Sequence, residues 1–143
     1  MADQIDFYLL KQSESSARYI YACRIANKAF GQGMKVYMRT DNVDQSAYLD
    51  KLLWTYSQES FVPHTIREQK TDWASYPVQI GSQNSGCDDI DLLISLSADV
   101  PEDFQRYSRV ADLIINDPEQ KQWGRSRFRH YRDQGIEPKT HNI

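Results

Sequence analysis

The chain is poor in the residues that define several protein classes. It has two cysteines in 143 residues, Cys23 and Cys87, and they lack the spacing of metal ligands. This pattern predicts a reduced cytoplasmic protein with two buried or half-buried thiols rather than a disulfide framework. No apolar run approaches the roughly 18 residues that a membrane span requires, and the first residues do not resemble a signal peptide. We therefore expect no membrane association.

Motifs of catalysis are missing as well. Gly81–Cys87 has the glycine spacing of a phosphate-binding loop, but Cys87 stands where a lysine must contact the phosphates. The first expected strand is followed by Lys11–Ser15, which contains no glycine for a dinucleotide-binding turn. The three histidines are dispersed, and no serine or cysteine lies in a nucleophile signature. The sequence predicts a protein without catalytic residues, cofactor or metal.

What the chain does have is one segment of concentrated positive charge, Lys121–Arg132. It holds five lysine or arginine residues, one histidine, three aromatic residues and no acid. The whole chain has 17 basic and 20 acidic residues, so the remainder carries 12 basic against 20 acidic side chains. A segment of this kind predicts a local anion-binding surface.

This segment belongs to the helix with the clearest signals. Asp117 is a suitable N-cap, Pro118 fits the first helical position, and Gln120 completes a capping-box pattern. A helix is therefore predicted over residues 118–133, with Gly135 as its stop.

A projection of this helix gathers four of its five cations. At about 100° per residue these four fall within about 80° of one another, and they are Lys121, Arg125, Arg129 and Arg132. Phe128, Gly124 and Tyr131 border this row, and the far side holds Trp123, Arg127 and His130. Arginines on such a face can bind carboxylates or phosphates through two hydrogen bonds, while the ring covers an apolar group.

Three interpretations of the basic helix compete. A solvated helix accounts for one or two cations near its C-terminus, but not for five without an acid. Single-stranded nucleic acid is a second partner, although the acidic remainder of the chain is unusual for that function. The third is an acidic peptide that ends in a carboxylate beside an apolar side chain. Charge alone leaves the last two open.

Alternating periodicity predicts an α/β fold with a mostly parallel sheet. The expected strands are residues 5–10, 35–38, 78–80, 90–96 and 109–115, and the expected helices are 13–30, 41–54, 102–107 and 118–133. The remainder of residues 56–86 is expected to be loop because prolines and glycines interrupt it. The aromatic stretch Trp54–His64 either closes an edge of the core or anchors a partner protein.

Several strings occur in an order that is typical of one family. They are Phe7–Leu10, Leu52–Trp54, Glu59–His64, Pro77–Ile80, Asp91–Leu96 and Arg125–Arg132 with Gly135. With them the chain resembles the chi subunit of bacterial DNA polymerase III holoenzyme over essentially its full length. The stretch from Trp54 to His64 is the most specific part, and residues 67–76 are the least.

The resemblance implies a single domain over residues 1–143 with a Rossmann-like three-layer fold, helices on both faces and no working nucleotide site. It implies a non-catalytic accessory subunit of the clamp-loader assembly in DNA replication, a monomer or a heterodimer with the psi subunit. Such proteins bind psi on one surface and the acidic C-terminal tail of single-stranded DNA-binding protein on another, so they contact nucleic acid only indirectly. The alternative is a module that binds single-stranded nucleic acid directly through the basic helix.

The resemblance also assigns site residues. For the tail these are Lys121, Arg125, Phe128, Arg129 and Ile114, with Arg132 extending the cationic face. Trp54 and Phe61 match the aromatic residues that face psi. Two positions depart from the family: Phe128 replaces a common tyrosine, and Trp123 replaces a smaller aliphatic residue.

Overall fold

The computed structural model describes residues 2–56, 62–67 and 71–143. This part of the chain contains seven strands and three α-helices. In order they are β1 (Gln4–Leu9), α1 (Ser15–Gly31), β2 (Val36–Arg39), α2 (Val43–Tyr56), β3 (His64–Ile66), β4 (Val78–Gly81), β5 (Ile90–Ser95), β6 (Tyr107–Ile114), α3 (Pro118–Asp133) and β7 (Lys139–Asn142). A single 3₁₀ turn, Phe104–Arg106, precedes β6. None of the described helices is long and apolar enough to cross a membrane.

All seven described strands form one sheet in the order β3-β4-β2-β5-β6-β1-β7. Every neighbouring pair is parallel, so the predicted mostly parallel sheet is confirmed and the described strands are parallel throughout. Leu9 at the end of β1 lies opposite Ile114 at the end of β6. Because parallel strands all end at the same edge, the segments that follow β1 and β6 lie side by side.

Helices cover both faces of the sheet, as predicted. Ala22 and Cys23 of α1 and Leu49 of α2 are buried against one face, together with Met38 and Ile94. On the other face Tyr131 of α3 is buried with β-strand residues that include Phe7, Val110 and Ile114. The fold is therefore a three-layer Rossmann-like α/β arrangement.

Three sequence predictions about secondary structure were wrong. β3 lies in a stretch expected to be loop, and β7 was not expected at all, since Lys139–Asn142 has no apolar alternation. β7 is an edge strand that pairs only with β1 among the described strands, and an edge strand needs few apolar residues. The expected helix over residues 102–107 is only a 3₁₀ turn, because β6 already begins at Tyr107.

The two thiols lie as the sequence predicts. Cys23 is fully buried and Cys87 is half-buried, and both are free. Burial raises the pKa of the Cys23 thiol to about 12. A buried, neutral thiol of this kind acts as a small apolar side chain of the core.

Candidate functional site

The start of α3 is fixed by Asp117. Its carboxylate accepts a hydrogen bond of 3.0 Å from the backbone N–H of Gln120, and Pro118 occupies the first helical turn. The reciprocal half of the predicted capping box is not formed, because the backbone N–H of Asp117 donates to the Ile115 carbonyl at 2.9 Å. The side-chain oxygen of Gln120 has no partner among the described residues. A single cap therefore sets where the basic helix begins.

Gly124 allows α3 to approach the sheet closely. A Cβ atom at this position would overlap Ile114 Cδ1 and lie 3.0 Å from Ile114 Cγ1. The glycine notch expected from the helical projection is thus filled by Ile114 of β6, whose exposed fraction is 6%. This contact places the start of α3 beside the end of β6.

Arg127 differs from its predicted position. The projection placed it on the far side of the helix, but its side chain is 2% exposed and that of Asp112 on β6 is 0% exposed. Arg127 Nε and Nη2 donate to the two Asp112 carboxylate oxygens at 2.8 and 2.9 Å, and Nη1 donates to the Ala98 carbonyl at 2.9 Å. Burial alone would lower the pKa of Arg127, but the charge and hydrogen bonds of Asp112 outweigh it and raise that pKa. One of the five cations therefore holds α3 to the sheet.

A cavity of about 560 Å³ lies between α3 and the ends of β1, β6 and β7. Its apolar wall includes Phe7, Leu9, Ile114 and Phe128, and its lining cations are Lys11, Lys121 and Arg125. The rings of Phe7 and Phe128 pack with their centroids 5.2 Å apart at an angle of 58°. The three cations are exposed, and they have no ion pair within the described part of the chain.

Four of the residues predicted to bind the tail meet at this cavity, namely Lys121, Arg125, Phe128 and Ile114. Arg129 and Arg132 are exposed on the same helix but do not line the cavity. Arg132 Nε lies 3.4 Å from the Glu137 carboxylate, so part of its charge is already compensated.

Sequence reasoning missed several residues of the cavity. Lys11 follows β1, Phe7 lies within it, and Asn142 ends β7. The signal for Lys11 was its position directly after the first strand, where α/β proteins place ligand-binding residues. Asn142 had no such signal because β7 itself was not predicted.

Of the two residues predicted to face psi, the structure describes Trp54, which lies away from this cavity. Trp54 belongs to the last turns of α2, is 55% exposed, and packs its ring 4.6 Å from the buried ring of His64. His64 is held by the carbonyls of Val62 and Asp50, at 2.7 and 3.1 Å. Phe61 lies outside the described residues.

The rejected phosphate-loop motif forms the loop after β4. A Cβ atom at Gly81 would overlap the Tyr37 hydroxyl group, and that hydroxyl donates to the Gln83 carbonyl at 2.6 Å. The side chain of Tyr37 thus packs closely against Gly81 at the start of this loop. Across residues 2–56, 62–67 and 71–143, no cluster of three or more His, Cys, Asp or Glu side chains is placed to hold a metal ion.

The cavity occupies the position where Rossmann-like folds bind ligands. β1 and β6 are neighbours, yet β1 leads into α1 on one face and β6 leads into α3 on the other. Ligands of open α/β sheets bind at such a switch point, outside the carboxyl ends of the strands. Fold and site together define a Rossmann-like α/β protein with a cavity suited to an anion that carries an apolar group.

Comparison with known proteins gives the family. Residues 2–139 match the model of the family described as "DNA polymerase III chi subunit, HolC". The DNA polymerase III subunit chi of Pseudomonas aeruginosa is 37% identical over 140 residues, which cover 98% of this chain and 96% of that protein. The corresponding subunit of Escherichia coli is 30% identical over 139 residues, 94% of each chain. The chain belongs to the DNA polymerase III chi subunit family, an accessory component of DNA replication, as its resemblance to that family predicts.

Proposed function

We propose that this chi-family chain tethers the polymerase assembly by holding two partners at once. The switch-point cavity takes the acidic C-terminal tail of single-stranded DNA-binding protein, and the surface around Trp54 takes the psi subunit. The observation that carries the first part is one cavity that combines unpaired cations with an aromatic wall. A tail that ends in a carboxylate beside a phenylalanine ring matches both features, because the carboxylate can pair with a cation and the ring can pack against the aromatic wall.

Arg125 binds the terminal carboxylate. Its guanidinium lines the cavity, is exposed and has no ion pair in the described part of the chain. A guanidinium matches a carboxylate with two parallel hydrogen bonds, which a lysine ammonium cannot do. A bound tail would cover this pair and remove it from water, which strengthens the interaction.

The terminal ring enters the apolar wall. Phe128 is half-buried and Ile114 is buried, and Phe7 supports the Phe128 ring from below. Phe128 keeps the ring that the family usually supplies as tyrosine, so the contact with an apolar group does not need a hydroxyl. Burying one phenylalanine side chain contributes about 1.5–3 kcal/mol.

The remaining cations attract the acidic residues that precede the end of the tail. Lys11 and Lys121 line the cavity itself, Lys11 on the side of β1 and Lys121 on the side of α3. Arg129 lies further along α3 and Arg132 is partly compensated by Glu137. Exposed charges of this kind act mainly on the association rate and its salt dependence.

The two partner surfaces lie near opposite edges of the sheet. α2, which carries Trp54, packs beside β3 and β4, whereas the cavity lies between β1 and β6. Two strands, β2 and β5, lie between these pairs, and three or four strand spacings of about 4.8 Å separate the surfaces by roughly 15–20 Å. Both partners can therefore bind without a direct clash.

The test of tail binding is a fluorescence titration with an acidic peptide that ends in Asp-Ile-Pro-Phe, either with a free C-terminus or amidated. Arg125→Ala should weaken binding of the free peptide by about 2 kcal/mol or more, which is about thirtyfold. Arg129→Ala is the matched control, because it removes the same side chain from the same helix outside the cavity. It should have a much smaller effect.

Two results would contradict this assignment. Equal affinity of the free and amidated peptides would reduce the cavity to a general electrostatic patch. Equal losses for Arg125→Ala and Arg129→Ala would show that net charge alone matters. Psi binding is tested separately with Trp54→Ala, which should weaken the psi complex and leave peptide affinity unchanged.

A further inference from the structure

A second charged surface lies on the opposite side of the sheet from α3. α1 packs against β2, β5 and β6, and α2 packs against β3 and β4, so no described helix makes extensive contact with β7 on this face. Asp6 and Tyr8 of β1 lie on this side of the sheet beside Lys139 and His141 of β7, with which they are paired in the strand register. We call the surface formed by these residues, with Arg109 of β6 and Arg24 and Lys28 of α1, the open sheet face.

Aromatic rings form the centre of the open sheet face. Tyr8 and His141 stack with their centroids 5.0 Å apart and their planes at 21°. Tyr21 of α1 lies 5.7 Å from Tyr8 at 48°. All three side chains are half-buried, so part of each remains accessible from solvent. Such a cluster can stack with a planar ring of a ligand. His141, on the edge strand β7, offers the most accessible ring of the three.

Cations surround these rings. Arg24, Lys28, Arg109 and Lys139 are exposed, and Arg24 and Lys28 are one helical turn apart on α1. Arg24, Lys28 and Lys139 make no ion pair with any described residue. In a chain of net charge −3 this is a local reversal of sign.

The one acid of the open sheet face is already compensated. Asp6 is buried, and its carboxylate lies 2.8 Å from His141 Nε2 and 3.4 Å from Arg109 Nη2. Gln4 Nε2 donates to the same carboxylate at 2.9 Å. Asp6 lines the groove described below, where it fixes His141 and Arg109 in place and has its charge paired with that of Arg109.

A groove of about 410 Å³ joins the rings to the cations. Its lining includes Tyr8, Tyr21, Arg24, Lys28 and Arg109. This volume lies within the range of about 300–1,000 Å³ that small-ligand sites occupy. A single nucleotide can therefore enter the groove, while the strand to which it belongs continues over Lys139 at the edge.

We propose that the open sheet face binds single-stranded nucleic acid. A base stacks on the Tyr8–His141 pair, and the adjacent phosphates lie against Arg24, Lys28 and Arg109. Rings combined with a cationic groove are the two elements with which proteins hold single strands without sequence preference. A single strand carries a base beside every phosphate, so it offers planar rings and negative charges together along its whole length. Ile143 lines both this groove and the tail cavity, but the rings and cations of the open sheet face do not line the tail cavity.

The test is fluorescence anisotropy with a labelled oligothymidylate at low salt, compared with an oligouridylate and with duplex DNA. Arg24→Glu/Lys28→Glu should weaken single-strand binding at least tenfold, because two phosphate contacts are lost and two like charges are placed beside the phosphates. The matched control is Arg125→Glu/Arg129→Glu, with the same charge change and spacing on α3. Thermal unfolding checks that each variant folds. If Arg24→Glu/Lys28→Glu does not fold, Arg24→Gln/Lys28→Gln replaces it.

The outcomes separate this proposal from tail capture. Loss of oligonucleotide binding in the α1 variant, with peptide binding retained, supports the open sheet face. Loss of oligonucleotide binding only in the α3 variant would assign nucleic-acid binding to the basic helix and overturn the proposal. Equal losses in both, equal binding of duplex, or no binding to wild type would also overturn it. Thymidylate and uridylate arms distinguish DNA from RNA as the strand that binds.

Discussion

The buried pair of Arg127 and Asp112 should make the two residues unequal in their effect on stability. The charge of Asp112 also acts on a second buried cation, Arg18, whose Nε and Nη1 donate to the carbonyls of Leu113 and Leu96 at 2.9 and 3.2 Å. Burial lowers the pKa of Arg18, and the charge of Asp112 partly restores it. Removing the Asp112 charge leaves two buried guanidinium groups without compensation. Removing Arg127 leaves one carboxylate that still has Arg18 nearby.

The magnitudes follow from the cost of an uncompensated buried charge. Breaking a buried pair costs about 3–5 kcal/mol, so we expect about 5 kcal/mol for Asp112→Asn and about 3 kcal/mol for Arg127→Met. For 143 residues the free energy of unfolding is on the order of 10 kcal/mol. Both single variants should therefore fold, and Asp112→Asn should retain the smaller free energy of unfolding. The double variant should cost about 2 kcal/mol less than the sum of the two, because the interaction is lost only once.

Urea unfolding of the wild type, the two single variants and the double variant measures these values. The asymmetry is the informative quantity, since it depends on Arg18 and not only on the pair. Arg18→Met in the Asp112→Asn background should recover stability relative to Asp112→Asn alone. If Arg127→Met costs as much as Asp112→Asn, or if the single effects simply add, the electrostatic reasoning fails.

Three further changes test the packing and pH dependence. Gly124→Ala should push Ile114 toward the cavity and weaken peptide binding severalfold. A gain in helix propensity of about 1 kcal/mol should offset much of the strain in the free energy of unfolding. An unchanged peptide titration would refute the close contact. Asp117→Ala should lower the free energy of unfolding by about 1 kcal/mol in urea, and no loss would mean that the cap is unimportant. Burial raises the pKa of Tyr37 from 10.0 to about 12, so its contribution is present below pH 10 and is lost as pH rises to 12. Unfolding curves across that window should lose about 2–3 kcal/mol through this group, and Tyr37→Phe should flatten the slope; an equal slope in both proteins would contradict the assignment.

Local signals in the sequence were sufficient for most of the sheet and for the start of the basic helix. The continuous apolar runs of β5 and β6 have the pattern of strands covered on both faces, and the structure covers both. Asp117 and Pro118 located the beginning of α3 because capping depends on neighbouring residues only. β7 gave no such signal, since its pairing with β1 is decided by tertiary contacts rather than by its own residues.

The position of Arg127 shows where helical projection fails. Projection sorts residues by angle and treats every arginine as solvent-facing, but Gly124, Arg127 and Tyr131 are the buried residues of α3. The missing information was on another element, where Asp112 is the one charged residue in the buried stretch Val110–Ile114 of β6. A buried carboxylate requires a partner, so a buried Asp112 predicts a buried cation elsewhere in the chain. The sequence contained both charges but not the contact between them.

The same fold position can serve a different ligand once its loop changes. Nucleotide-binding members of this fold place a glycine-rich turn between the first strand and helix, which brings backbone N–H groups to a pyrophosphate. Here that turn begins with Lys11, and α1 starts after Glu14 without a side-chain cap. The cations at the switch point come instead from side chains, chiefly those of α3, whose start lies against Ile114 through Gly124. Side-chain cations beside an aromatic wall match the carboxylate and the ring of the peptide tail that we propose as the ligand, whereas a pyrophosphate would leave the aromatic wall without a partner.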